Sequence, residues 1–196
     1  MPIPSANFGV IALLDELFIQ CSLLQANGTR LEDAADHWIK LERGEDFNRK
    51  VPPLDILAWC TVCLAAMAAI RRLLYAGSSS PVVNRRRAAL QAILGHPSLP
   101  SFTSAAVRNS WEHLDERLDE RIPAMTTGSL SHIHVAARDL PPGELALKRF
   151  DPRTLTIYFA EEGVPLRPAI LDAASLSGCL DQAMIRLNTE IVLPWG

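Results

Sequence analysis

Residues 53–75 read PLDILAWCTVCLAAMAAIRRLLY, and no charged side chain interrupts the stretch from Ile56 to Ile70. Pro52-Pro53 opens the segment and Gly77 follows it, so the pattern predicts a helix to about Tyr75: proline suits a first helical turn, and glycine adopts the left-handed cap. Its centre is apolar on every side. In a soluble fold such a helix is the buried middle of a bundle. At 15 residues the uncharged stretch is shorter than the ~20 that cross a bilayer.

Working outward from that segment, more helices come into view. On its N-terminal side, from Val10, Leu13, Leu14, Leu17, Phe18, Cys21 and Leu24 recur with the spacing of one helical face. Asn27-Gly28 reads as the end of that helix. Thr29 and Glu32 read as the capping box of a second one, which turns Leu31, Ala34, Ala35 and Trp38 inward. Residues 43–50 are polar and predict a loop. On the C-terminal side, Ser80-Pro81 starts a helix that Gly95 stops, and a Pro-containing loop runs to Thr103. A fifth helix, Ser104 to about Ile122, buries Val107, Trp111, Leu114, Leu118 and Ile122.

After Pro123 the period changes. Leu155, Ile157 and Phe159 alternate with Thr154, Thr156 and Tyr158, which predicts a half-buried strand over 154–160. Asp151-Pro152-Arg153 and Glu161-Glu162-Gly163 are turn sequences that pair it with 145–150 and 164–167. Pro165 and Pro168 would confine the last strand to an edge. Ser131–Ala137 adds a further strand, from which His132 and His134 project to solvent. Ile170, Ala173, Leu180, Met184 and Leu187 outline a final helix. The expected fold is mainly α, one domain over 1–196. It is an antiparallel helical bundle (core 8–122), a small antiparallel β-meander (131–168) and a C-terminal helix (169–188).

Composition narrows the function classes. An apolar content of 48% over 196 residues excludes whole-chain disorder. A net charge of −3 excludes a globally basic nucleic-acid binder and leaves local patches open. Four cysteines at this length are no disulfide scaffold, and no basic residue precedes Arg30 as a signal peptide would need. A soluble, cytoplasmic protein is expected, without membrane contact.

Cys60-x-x-Cys63 with His132-x-His134 has zinc-type ligands. The cysteines, however, sit inside the most apolar helix, where Cys acts as a small hydrophobe. No metal and no cofactor are expected. His96, beside Gly95 and Pro97, reads as a loop residue. No G-x-S-x-G, phosphate-binding Gly-rich loop or H-E-x-x-H occurs.

Charge is distributed unevenly. Between Asp55 and Glu112 there is no acidic residue, while Arg71, Arg72, Arg85, Arg86, Arg87 and Arg108 lie there. Arginine forks match phosphate oxygens two at a time, so Arg71, Arg72 and Arg85–Arg87 are candidate RNA-binding residues. The bland alternative is a solvated face in a chain with 16 Arg against 3 Lys.

In the fifth helix, Val107, Trp111, Leu114 and Leu118 share one side, and Arg108, Asn109, Glu112 and His113 occupy the other. The Leu-Asp-Glu-Arg repeat at 114–117 and 118–121 stacks like charges one turn apart, a small cost that is answered either by opposite charges from another chain or helix or by solvent and salt screening. Arg108-Asn109 followed by His113, late in a helical bundle, resembles the signature of HEPN domains. The resemblance spans roughly residues 8–122. It implies a bundle that forms a homodimer, with two such motifs facing a shared cleft. It also implies metal-independent RNA cleavage of toxin or RNA-processing type, with Arg108, Asn109 and His113 as catalytic residues and a nucleotidyltransferase-type antitoxin as a partner. The competing reading is a non-catalytic module of the same fold that binds RNA or protein.

Overall fold

In the computed structural model the described residues are 5–45, 51–75, 80–103, 129–135, 144–159 and 162–192. They form four α-helices, α1 (Ser5–Glu42), α2 (Pro53–Leu74), α3 (Pro81–Ile93) and α4 (Leu166–Val192). A 3-10 turn spans Pro100–Phe102, and four strands run β1 (Ser129–Val135), β2 (Glu144–Asp151), β3 (Thr156–Phe159) and β4 (Glu162–Pro165). The protein is mainly helical with one small sheet.

The expected break at Asn27-Gly28 is absent, and so is a helix start at Thr29: α1 is continuous for 38 residues. Its buried positions explain why. Leu14, Leu17, Cys21, Leu24, Gly28, Leu31 and Ala35 step by three and four residues alternately, one unbroken seam of coiled-coil period. Gly28 falls in that seam. Its cost of ~1 kcal/mol against alanine is outweighed by burying Leu31 alone, at about 1.5–3 kcal/mol. Phe18, expected on the inward face, lies off the seam and is exposed.

α2 follows its expected course. Ala66 to Ile70 are buried on all sides, whereas Ala58, Thr61 and Ala65 before them are exposed. α1 and α2 both have the length and hydropathy of a membrane span. More than half of the qualifying α2 window, and under a quarter of that in α1, is buried in the protein itself. α3 has Ser80 at its N-cap and Pro81 in its first turn, as read from the sequence. Its C-terminus closes on Gly95 and His96, at φ 76° and 53°. The His96 N–H donates to the Gln91 carbonyl at 2.7 Å.

The chain divides into two compact units. Unit 1 is 1–25, 66–104 and 169–196, and unit 2 is 26–65 and 105–168. Unit 1 is helical. Its core is Leu14, Leu17, Cys21 and Leu24 of α1, Ala66–Ile70 and Leu74 of α2, Leu90 and Leu94 near the end of α3, and Ala173, Leu176, Leu180 and Ala183 of α4. Polar ties join the helices. Gln25 donates to Ser177 Oγ at 3.0 Å, Gln91 to the Leu74 carbonyl at 2.6 Å, and Arg186 to the Ile93 carbonyl at 2.7 Å. The 95–103 loop is pinned: Tyr75 donates to the Pro97 carbonyl at 2.9 Å, the Ser101 N–H to Asp172 Oδ2 at 2.9 Å, and Phe102 is fully buried.

Unit 2 holds the sheet, in order β1-β2-β3-β4. β2, β3 and β4 are antiparallel neighbours, but β1 runs parallel to β2. The sheet is therefore mixed, which corrects the expected antiparallel meander. Apolar alternation tells which face of a strand is buried, not which way its neighbour runs. Phe150, Ile157 and Phe159 fill the core side with Leu31, Ile56, Cys60 and Cys63.

β3 begins at Thr156, not Thr154. Leu155 sits in the preceding turn at φ 52°, still buried, and its carbonyl accepts the Leu166 N–H at 2.9 Å. Pro165 lies on the edge strand as expected. Pro168 instead falls in the first turn of α4, where its missing N–H has no helical partner to lose. His134, expected to face solvent, is half-buried.

Candidate nucleic-acid interface

All five arginines of the acid-free run that fall in the described residues belong to unit 1. Arg71 and Arg72 occupy the last turn of α2, and Arg85, Arg86 and Arg87 lie in the middle of α3. α3 has one buried residue within its span, Leu90. A 13-residue helix held by so few apolar contacts leaves most of its surface to solvent, and Arg85 and Arg86 project there.

Two of the five are partly committed. Arg71 donates from Nε to the Thr103 carbonyl at 3.0 Å, and Arg87 donates to Asn84 Oδ1 one turn back at 3.1 Å. Among the described residues none of the five forms an ion pair with a carboxylate. The acids of this unit, Asp15 and Glu16 on α1 and Asp172, Asp181 and Glu190 on α4, lie on the other two helices. Apart from Arg186 on α4, charge in this unit is sorted by helix.

Arg85 and Arg86 also edge a groove of ≈ 500 Å³ between α3 and the start of α1. Ala89, Gly9, Val10, Ala12 and Leu13 complete its lining. The groove therefore has an apolar floor beside two guanidinium groups with no carboxylate paired to them among the described residues. The sequence pointed to the arginines; it held no sign of the α1 residues opposite them, because their partnership is purely tertiary.

Arg108, Asn109 and His113 lie outside the described residues, as does the whole of the expected fifth helix. The cysteine pair is inside them. Burial pushes the Cys63 thiol up to about 12 and raises Cys60 well above the ordinary thiol range, with its neighbour Cys63 adding to the effect. A thiol held protonated is neither nucleophile nor ready ligand. Among the described residues no three His, Cys, Asp or Glu side chains converge as a metal site would need.

The chain matches no family model, and neither a curated protein nor a solved structure shows significant similarity to it.

Proposed function

We propose that this protein binds RNA through Arg71, Arg72, Arg85, Arg86 and Arg87. We further propose that it is a HEPN-like, metal-independent endoribonuclease acting through Arg108, Asn109 and His113 at a homodimer cleft. One observation carries the binding half: five arginines stand on α2 and α3 with no carboxylate paired to them among the described residues. Uncompensated arginine on an exposed helix attracts polyphosphate, and each phosphate contact releases counterions.

The cleavage half has the sequence motif as its support. RNA cleavage by the neighbouring 2′-OH needs a base, an acid for the leaving 5′-oxygen, and positive charge at the phosphorane. Histidine exchanges protons near neutrality, and Arg108 supplies the charge. Asn109 orients His113 or a phosphate oxygen. A second His113 from the other subunit provides the second proton transfer. A nucleotidyltransferase-type antitoxin as regulator and a cytoplasmic location complete the proposal.

Two assays test the halves separately. Arg85→Gln/Arg86→Gln/Arg87→Gln should weaken binding of a single-stranded oligoribonucleotide at least tenfold and flatten its salt dependence; unchanged affinity at low salt removes the binding surface. Arg108→Ala and His113→Ala should each slow cleavage in EDTA by about a hundredfold or more, leaving 2′,3′-cyclic phosphate ends in the wild type. Arg30→Ala and His37→Ala are the controls, a second Arg and His pair with six residues between them where Arg108 and His113 have four. Binding without cleavage of any RNA leaves the non-catalytic module.

A further inference from the structure

The groove between α3 and the start of α1 lies wholly within unit 1. Its rim is cationic. Arg85 and Arg86 stand about 100° apart around α3, and Ala89, one turn further on, comes between them. Neither guanidinium pairs with a carboxylate among the described residues, and none of the described lining residues is acidic. Asp15 and Glu16 follow Leu13, the last α1 residue of the lining, and Glu16 accepts from the Gln20 amide at 2.7 Å.

The floor is apolar. Val10, Ala12 and Leu13 of α1 and Ala89 of α3 offer neither a hydrogen-bonding side chain nor an aromatic ring. A Cβ on Gly9 would meet no atom within 4 Å, so the groove is open there. Val82, 64% exposed, lies one turn before Arg85 and Arg86 on the same side of α3 and continues the apolar strip.

Rim and floor together discriminate between occupants. RNA uses the rim alone: phosphates meet the arginines, but bases find nothing in the floor to stack on or to bond with. A fatty acid uses the floor but brings one carboxylate to two separated guanidinium groups. An amphipathic helix with acidic flanks uses both. Its apolar side chains at i, i+3 and i+4 enter the floor, and two carboxylates one turn apart meet the two arginines.

We propose that the α1–α3 groove is a docking site for an acidic amphipathic helix of a partner protein. Such a helix covers Arg85 and Arg86 and so competes with RNA. That competition rests on the RNA-binding reading above; the docking itself does not.

The probe is a fluorescent peptide of about 18 residues, five helical turns, with leucine at i, i+3, i+4 and i+7 and glutamate on both flanks. Titrated with the full chain and followed by anisotropy, it should bind saturably. Exchanging its glutamates for glutamine, or scrambling the leucine spacing at constant charge, should each weaken binding at least tenfold. Arg85→Glu/Arg86→Glu should invert the preference towards the lysine counterpart of the peptide. Ala89→Trp, at an exposed position, fills the groove; it should cost at least tenfold in peptide affinity and leave oligoribonucleotide affinity in place. Unlabelled peptide should displace a labelled oligoribonucleotide from the wild type. Three results overturn the docking site: no peptide binding by a chain with its native circular dichroism, equal binding of the scrambled peptide, or displacement of the peptide by dodecanoate at lower concentration than by unlabelled peptide. A chain that binds RNA and not the peptide refutes the docking alone, and one that binds the peptide and no RNA refutes the RNA reading alone.

Discussion

A thiol surrounded by apolar side chains keeps its proton because the thiolate would lose its hydration. Cys60 and Cys63 are fully buried, so a thiol reagent at neutral pH should modify neither until the protein unfolds. Rapid labelling of both in the native state would contradict the packing. Burial also ties the thiols to alkaline stability. The folded-state value of Cys63 is raised from 9.0 to about 12, and that of Cys21 from 9.0 to about 11, where a hydrogen bond with Ser177 partly offsets burial. Their stabilisation is complete below pH 9 and is lost as pH rises toward those folded values, at about 1.4 kcal/mol for each tenfold by which folding weakens the acid. Cys63→Ala should therefore flatten the fall in stability measured by urea titration between pH 9 and 12; an unchanged slope counts against it. Gly163 makes a different demand. Gly163→Ala drives a methyl into the Tyr158 ring and should cost about 1–3 kcal/mol as overpacking, read as a lower Tm. The burial of the cysteines was legible in the one-dimensional pattern and the Gly163 contact was not: glycine in Glu-Glu-Gly reads as a turn, and only the register shows which ring crosses it. Leu155 is the same lesson reversed. Its burial was legible from alternation, but its left-handed φ was not, since leucine is a poor candidate for that region.

At the scale of elements, the apolar pattern outranked local punctuation. Asn-Gly is a strong turn signal, yet the seam through Leu24, Gly28 and Leu31 keeps its three-four step across it. Counting the seam through the glycine would have shown one helix. Thr29 distinguishes the two descriptions. As an N-cap its loss would cost about 0.5–2 kcal/mol; as an exposed mid-helix residue, Thr29→Ala should be neutral or stabilising by a few tenths of a kcal/mol. Denaturant titration decides, and a loss above about 1 kcal/mol would restore the broken helix. α4 was easier to read: Ala173 and Leu180, which marked its inward face in the sequence, are buried with Leu166, Ala169, Leu176 and Ala183 at the same three-four step. The sheet was legible as four strands and illegible as to the direction of β1. Its connection to β2 lies outside the described residues, and a two-state choice of direction leaves no trace in alternation.

For the whole molecule, the candidate site was half legible. The arginines announced themselves by the missing acids around them, and the structure adds that all five described ones share one unit and that Arg85 and Arg86 edge an apolar groove. The Arg108–His113 motif stands on sequence resemblance, and its mechanism makes an oligomeric demand that can be tested directly. One histidine is thin for two proton transfers, because in-line attack puts the nucleophile and the leaving oxygen on opposite sides of the phosphorus, so the proposed cleft takes one from each chain. Closed two-fold pairs are the commonest way for identical chains to meet. Light scattering should give twice the 21.5 kDa chain mass, and a value for one chain across micromolar concentrations would rule the shared cleft out. Subunit mixing goes further. If wild type and His113→Ala are denatured, mixed in equal amounts and refolded, a cleft needing both histidines leaves about one quarter of the activity, because only pure wild-type pairs work. Two independent sites would leave about one half, since each wild-type chain then acts alone. The quarter is the expected result, and the half would place base and acid within one subunit.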